Sequence, residues 1–322
     1  MTDILADGGH FINVFKPRHM TSSAVVSKVR RITGVKRIGH GGTLDPLANG
    51  VLPLAIGRCT RLISDLHRWP KSYVAIIMFG VTTSTSDLEG DVVATNTTSP
   101  AADDLRRGVR TFTGRIKQRP SVYSAVKING VRAYELARQG YDFDPPEREV
   151  TVHSADLLEI TNWSADDIRD IGRSDFISTT GNGGRLVAAI KYVCSTGTYV
   201  RSLAEELGQY LRCGACLVGL IRTEVGPFKI SAAIPIHQLE ATLSNDAWSN
   251  SGYSCDVVVR DLPGIVLGLE DERMFCNGVP VKCTKEGDRI RAYGQNGSFL
   301  GVGDNHGAGC IRPKLVFASP KG

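Results

Sequence analysis

An α+β fold, a sheet-centred core followed by a small terminal β-barrel, is predicted by three observations. The stretch Ser72 to Gly80 is apolar on consecutive positions, as expected of a central strand covered on both faces. Helical spacing recurs elsewhere: Ala24, Val25, Val29 and Ile32 form one apolar stripe, and Leu203, Leu207 and Leu211, four apart, form another. Beyond residue 255, short apolar runs alternate with Gly, Pro and acidic turns, the pattern of a small barrel.

Taken in order, Phe11 to Phe15 reads as a strand ended by Lys16-Pro17. Thr21 or Ser22 then caps a helix that stops at Gly34. Val51 to Ile56 is a buried apolar run, and Ser99-Pro100 opens a short helix through Leu105. Residues 149–153 and 155–160 supply two pieces of strand, and the polar stretch 164–184 reads as an exposed connection. Val187 to Cys194 resumes the sheet, the Leu203 helix follows, and Leu217 to Phe228 closes the core. Turn formers accumulate over 241–255, which predicts a core over 1–240, a linker over 241–255 and a terminal domain over 256–322. In that last segment 257–259, 278–281, 288–293 and 299–303 are the expected strands.

Composition narrows the class. A chain of 322 residues, 42% apolar and 22% charged, buries a substantial core, and no apolar run reaches membrane-spanning length. The N-terminus lacks a secretory pattern, so a cytoplasmic protein is expected. Eight cysteines offer one isolated C-x-x-C, Cys213 and Cys216; the others are dispersed, which predicts reduced, mostly buried thiols and no metal site. The net charge of +5 is unevenly placed: Lys16, Arg18, Lys28, Arg30, Arg31, Lys36 and Arg37 occur with no acidic residue between them. Such a segment suits a phosphate backbone, or else a solvated helix face.

Immediately after it comes Gly39-His40-Gly41-Gly42-Thr43-Leu44-Asp45-Pro46-Leu47-Ala48-Asn49-Gly50, a poor helix and a plausible active loop. Pro46 biases Asp45 away from helical angles, leaving its carboxylate free to face a cleft. The bland alternative has Asp45 capping a turn and His40 filling a pocket. Tyr73, at the start of the central strand, reads by composition as a core aromatic ahead of a catalytic one.

With Val51-Leu52-Pro53 appended, this stretch resembles the catalytic signature of the bacterial tRNA pseudouridine synthase B family. Lys16-Pro17, Tyr73 in its strand, Tyr123 to Lys127 with Arg132 to Glu135, and Gly197 to Leu203 resemble the same family in the same order. The resemblance spans about residues 11 to 235. It implies a pseudouridine synthase core with a mixed, mostly antiparallel sheet, a PUA-like RNA-binding barrel at the C-terminus, and isomerisation of uridine 55 in the tRNA T-loop. It further implies Asp45 as the essential carboxylate, Tyr73 stacked on the base, Tyr199 as an orienting or proton-transfer group, and Arg201 as a bidentate partner of Asp45. RNA contacts are expected from Lys16, His40, Lys28, Arg30, Arg31 and Arg132, with Leu220 as an apolar wall. The expected partner is the T-stem and T-loop of tRNA, with no cofactor, metal, membrane or obligatory protein partner. Two departures stand out: Arg18-His19 occupies a turn where the family commonly has a glycine, and Gly41 replaces a usual Thr. A non-catalytic RNA-binding or tRNA-folding protein is the competing reading. A phosphate-processing enzyme is disfavoured, because the loop lacks a P-loop lysine.

Overall fold

The computed structural model describes residues 9–317, except 121, 122, 124, 125, 129, 142, 180–182, 245–251, 306 and 308. Two compact units emerge, neither continuous in sequence. One comprises residues up to 46, 50–69 and 225 onward; the other comprises 47–49 and 70–224.

The first unit begins with β1 (Phe11–Lys16), helix α1 (Ser22–Thr33), β2 (Ile38–His40), β3 (Asn49–Ile56) and α2 (Ile63–Arg68). Thr21 caps α1 by accepting from Ala24 N at 3.1 Å, and Gly34 ends it at φ +69, where its N–H donates to Arg30 O. β1 and β2 both run antiparallel to β3, with Phe11 opposite Ala55 and His40 opposite Leu54. The apolar stripe of α1, Val25, Val26 and Val29, buries against Ile12, Val14, Leu52 and Leu54.

The second unit carries β4 (Lys71–Phe79), β5 (Val81–Thr83), β6 (Val92–Thr95), α3 (Ala102–Thr111), β7 (Gly114–Gln118), β8 (Lys127–Ile128), β9 (Val131–Arg132), α4 (Ala133–Arg138), β10 (Arg148–Trp163), α5 (Ala165–Asp170), β11 (Arg185–Cys194), α6 (Val200–Tyr210) and β12 (Ala215–Val225). Its main sheet has the order β12, β4, β11, β10, β7, and the β4–β11, β11–β10 and β10–β7 pairs are antiparallel. β4 is central and buried at almost every position, as its apolar run requires. Leu203 and Leu207 of α6 are fully buried.

Two expectations are corrected in this unit. The strand pieces 149–153 and 155–160 are one 16-residue strand, β10, whose register shifts at Val152/Ser154 and Leu157/Glu159. The stretch 164–184 is more than an exposed connection. Ser164 and Asp167 form a reciprocal capping box that starts α5, and Ile168 and Phe176 bury against Met78 and Val187.

The first unit resumes with β13 (Phe228–Lys229), β14 (Ile234–Pro235, parallel to β1) and α7 (Leu239–Ser244). It ends with β15 (Gly264–Val266), α8 (Leu269–Cys276), β16 (Val281–Lys282), β17 (Arg289–Tyr293), β18 (Phe299–Asn305) and β19 (Cys310–Val316). The order β15, β17, β18, β19, β16 gives the five-stranded terminal sheet, packed on Phe275 of α8. Residues 257–259, expected as strand, lie in a 3₁₀ helix, Cys255–Val259. Val258 and Val259 bury beside Phe11, Leu62 and Phe228, so packing overrides the β-preference of three valines. The cysteine expectation also needs revising: Cys59 and Cys255 pair as a disulfide with Cα atoms 5.4 Å apart, while the other six thiols are free.

Candidate active site

The loop that bears Asp45 is fastened on both sides of that residue. Ser22, buried in the first turn of α1, accepts from Leu44 N at 2.9 Å and donates to Leu44 O at 3.1 Å. On the other side Pro46 O accepts from His19 N at 2.8 Å and lies 3.5 Å from Lys16 Nζ, which also donates to Met20 O and Pro17 O at 2.7 and 2.8 Å. Asp45 itself is half-buried between these two anchored neighbours, and the chain there is non-helical, as its Gly and Pro content requires. Anchoring both neighbours restricts the directions the carboxylate can take.

His19 explains how this turn survives without glycine. Its φ is +62, the left-handed region a glycine enters freely, and its N–H makes the bond to Pro46. His40, half-buried, ends β2. A Cβ on the following Gly41 would overlap the Leu66 side chain of α2, so Leu66 occupies the space that a threonine would need.

Of the expected RNA contacts, Lys16 is fully buried, its ammonium directed at main-chain carbonyls. Arg30, exposed, ties α1 to β2 by donating to Ile38 O at 3.1 Å; Lys28 is half-buried and Arg31 exposed. The Arg132 side chain lies outside the described residues.

In the second unit, Tyr73 on β4 is 8% exposed and stands opposite the fully buried Tyr192 of β11. Leu220, 7% exposed, lies on the neighbouring strand β12. Arg201 occupies the first turn of α6, and its side chain is nearly enclosed. Its Nη1 donates to Asp87 Oδ2 at 3.2 Å and Thr85 O at 3.4 Å, and Nη2 to Tyr123 O at 3.1 Å. Asp87 in turn accepts at Oδ1 from Thr85 Oγ1 at 2.5 Å and Glu89 N at 3.0 Å. A buried ion pair is held best when further hydrogen bonds engage both partners, as Thr85 O and Tyr123 O do for the guanidinium and Thr85 Oγ1 and Glu89 N do for the carboxylate.

Asp87, the ion-pair partner of Arg201, is the residue of this arrangement that sequence reading missed. It lies in the threonine-rich, acidic turn 82–89, where Thr85-x-Asp87 has the spacing of a self-bonded turn. Nothing in that pattern indicates an arginine more than a hundred residues away.

Tyr199, the residue before α6, is held through its main chain: its N–H donates to Gln118 Oε1 at 2.6 Å and its carbonyl accepts from Gln118 Nε2 at 3.0 Å. Gln118 is fully buried at the end of β7, and the Arg148 guanidinium lies over the Tyr199 ring, 4.6 Å from its centroid. Nearby, burial and the field of Arg222 bring the Lys71 ammonium down to about 8, with Nζ 2.6 Å from Thr196 Oγ1. Burial pushes the Cys194 thiol up to about 12, which makes it inert as a nucleophile near neutral pH. Among the described residues, no group of three or more His, Cys, Asp or Glu side chains is arranged to hold a metal ion, and no helix is long and apolar enough to cross a membrane.

Comparison with known proteins gives one family over residues 30–317. Residues 30–200 match the model of the TruB family pseudouridylate synthase N-terminal domain. Residues 201–262 match the tRNA pseudouridylate synthase B C-terminal domain, and 263–317 the C-terminal domain of pseudouridine synthase II TruB. The tRNA pseudouridine synthase B of Synechococcus sp. strain WH7803 is 36% identical over 313 residues, covering 95% of this chain and 97% of that one. The enzyme of the same name from Moorella thermoacetica is 36% identical over 321 residues, covering 95% and 98%. Among solved structures, an H/ACA RNP bound to a substrate RNA containing 2'-deoxyuridine aligns with a TM-score of 0.71 at 22% identity, covering 100% of this chain and 89% of that one, which is a likeness of fold. With the motifs in order, the central sheet in place and family matches over residues 30–317, the chain belongs to the TruB family of pseudouridylate synthases.

Proposed function

We propose that this chain converts the uridine at position 55 in the tRNA T-loop to pseudouridine, with Asp45 as the reacting carboxylate. The observation that carries the reading is the loop of Asp45, anchored at Leu44 by Ser22 and at Pro46 by His19 and Lys16, in a chain whose relatives share the family along their length. The reaction is an isomerisation: the C1'–N1 glycosidic bond breaks, a C1'–C5 bond forms, the C5 proton is lost and N1 gains one. No oxidant, reductant or water is consumed, and we assign no cofactor.

Asp45 supplies the anion this sequence needs, either as nucleophile or as the base that starts base detachment. Arg201 is its cationic counterpart in the reaction, and Asp87 holds that guanidinium. The target base must leave its stack, at a cost of a few kcal/mol that stacking and new polar contacts offset. Tyr73 is assigned to the stacking, Leu220 to the apolar wall, Tyr199 to orientation or proton transfer, and His40 to displacement of the RNA loop. Phosphates are taken by the basic segment that includes Lys28, Arg30 and Arg31, and the C-terminal sheet assists docking. The cytoplasm, where tRNA is available, is the assigned location.

Incubation of the purified chain with unmodified tRNA, without added metal or cofactor, tests this reading. Pseudouridine at position 55 supports it. Tight tRNA binding without any pseudouridine would favour the non-catalytic RNA-folding alternative.

A further inference from the structure

Arg148 opens β10 and is left over by the chemistry above. Its Nε and Nη2 atoms are buried, and among the described residues neither has a hydrogen-bond partner. Both sequence neighbours are acidic, yet each is engaged elsewhere: Glu147 with Arg119 at 3.5 Å, and Glu149 with Arg115 at 3.6 Å. The position of the guanidinium is nevertheless fixed. Arg148 faces Gln118 across the β10–β7 ladder, Gln118 clamps the Tyr199 main chain, and the guanidinium lies on the Tyr199 ring.

Buried cationic donors without acceptors are costly, and native structures rarely keep them unless something else supplies the acceptor. Nε and Nη2 together form one edge of the guanidinium, the edge that meets two oxygens of a single anion. Gly197, at φ +91, borders the guanidinium: a Cβ there would lie 3.5 Å from Nη1, in ordinary contact.

We propose that Arg148 is an anion subsite that takes a backbone phosphodiester of the bound RNA through Nε and Nη2, and so ties substrate binding to the placement of Tyr199. This rests on the reading that the chain acts on RNA at this site. The ligand class is a phosphodiester because that is the anion an RNA carries at every nucleotide.

The test compares wild type, R148Q and R148K in tRNA affinity across a KCl series, with pseudouridine formation followed in parallel. Loss of one phosphate contact lowers the slope of log affinity against log salt by about 0.7 to 0.9. R148Q is expected to show that drop and bind roughly tenfold more weakly at low salt, whereas R148K keeps a slope near wild type. An unchanged slope in R148Q, with wild type still forming pseudouridine, overturns the subsite and leaves the proposed function intact. The reduced slope with no pseudouridine from wild type overturns the function and leaves the subsite. Should R148Q fail to fold, the wild-type arginine Nε–H resonance absent from R148K must shift when a T-arm hairpin is added. A resonance that stays in place overturns the subsite.

Discussion

His19 shows what a single side chain can tell and conceal. The sequence marks it as a departure from a family glycine, but only the backbone shows that the left-handed angle is kept, at φ +62, because the N–H is needed at Pro46. Such an angle costs a non-glycine residue about 1–3 kcal/mol, against about 0.5–1 kcal/mol for the extra freedom of an unfolded glycine. H19G is therefore expected to stabilise the protein by about 1 kcal/mol in denaturant unfolding with activity preserved; a loss of stability would mean that the imidazole has its own contacts to make. Ser22 was legible as a helix-capping candidate, yet Thr21 caps the helix and Ser22 brackets Leu44 instead. S22A should lower the single-turnover rate at saturating tRNA by roughly 10- to 100-fold, since a misplacement on the scale of 1 Å has that effect. An unchanged saturated rate would reduce Ser22 to a folding residue. Asp45 and Arg201 were singled out from motif alone, whereas Asp87, which has no motif of its own, emerged only when folding brought residues 87 and 201 together.

At the scale of elements, periodicity located β1, α1, β4, β11 and α6 because each buries one face, or both, of a regular repeat. It failed where tertiary contacts decide the matter: α5, hidden in a polar stretch, and the 3₁₀ turn at 255–259. Helix α6 also carries a titratable device the pattern does not reveal. Burial, aided by Glu205, raises the Glu206 carboxyl to about 7. A carboxyl raised in the folded state binds its proton more tightly there than when unfolded, so its stabilising contribution is complete below about pH 4.5 and is lost as pH rises through 7. E206Q should remove that loss and be about 2–3 kcal/mol more stable than wild type at pH 8, with little difference at pH 4. A difference independent of pH would refute the burial account. The Gly41–Leu66 packing makes a paired expectation: G41T alone overpacks the loop and costs about 1–3 kcal/mol, and L66A in the same chain recovers part of it. Simple additivity of the two losses, measured by thermal unfolding, would show that they do not share that space.

For the whole molecule, the sequence segments and the packed units do not coincide. The linear division 1–240, 241–255 and 256–322 follows turn composition, but residues 255–259, Phe299 and Phe317 pack in one cluster with Phe11, Leu62, Leu66 and Phe228. A chain ended near Glu240 would uncover that cluster, so it is expected to lose stability and not affinity alone. The same cluster holds the Cys59–Cys255 disulfide, which closes a separation of 196 residues. C255S should lower stability by about 2–5 kcal/mol relative to the oxidised protein, with the reduced wild type matching the variant. Equal melting of oxidised and reduced wild type would count against a structural bridge. Asp45 is the group assigned to perform the isomerisation. The most direct test of that assignment is position-resolved, single-turnover pseudouridine formation in unmodified tRNA by wild type and D45N, at protein concentrations where both bind the RNA fully. Conversion at position 55 by wild type and none by D45N is the expected result, and conversion by D45N at the wild-type rate would contradict it.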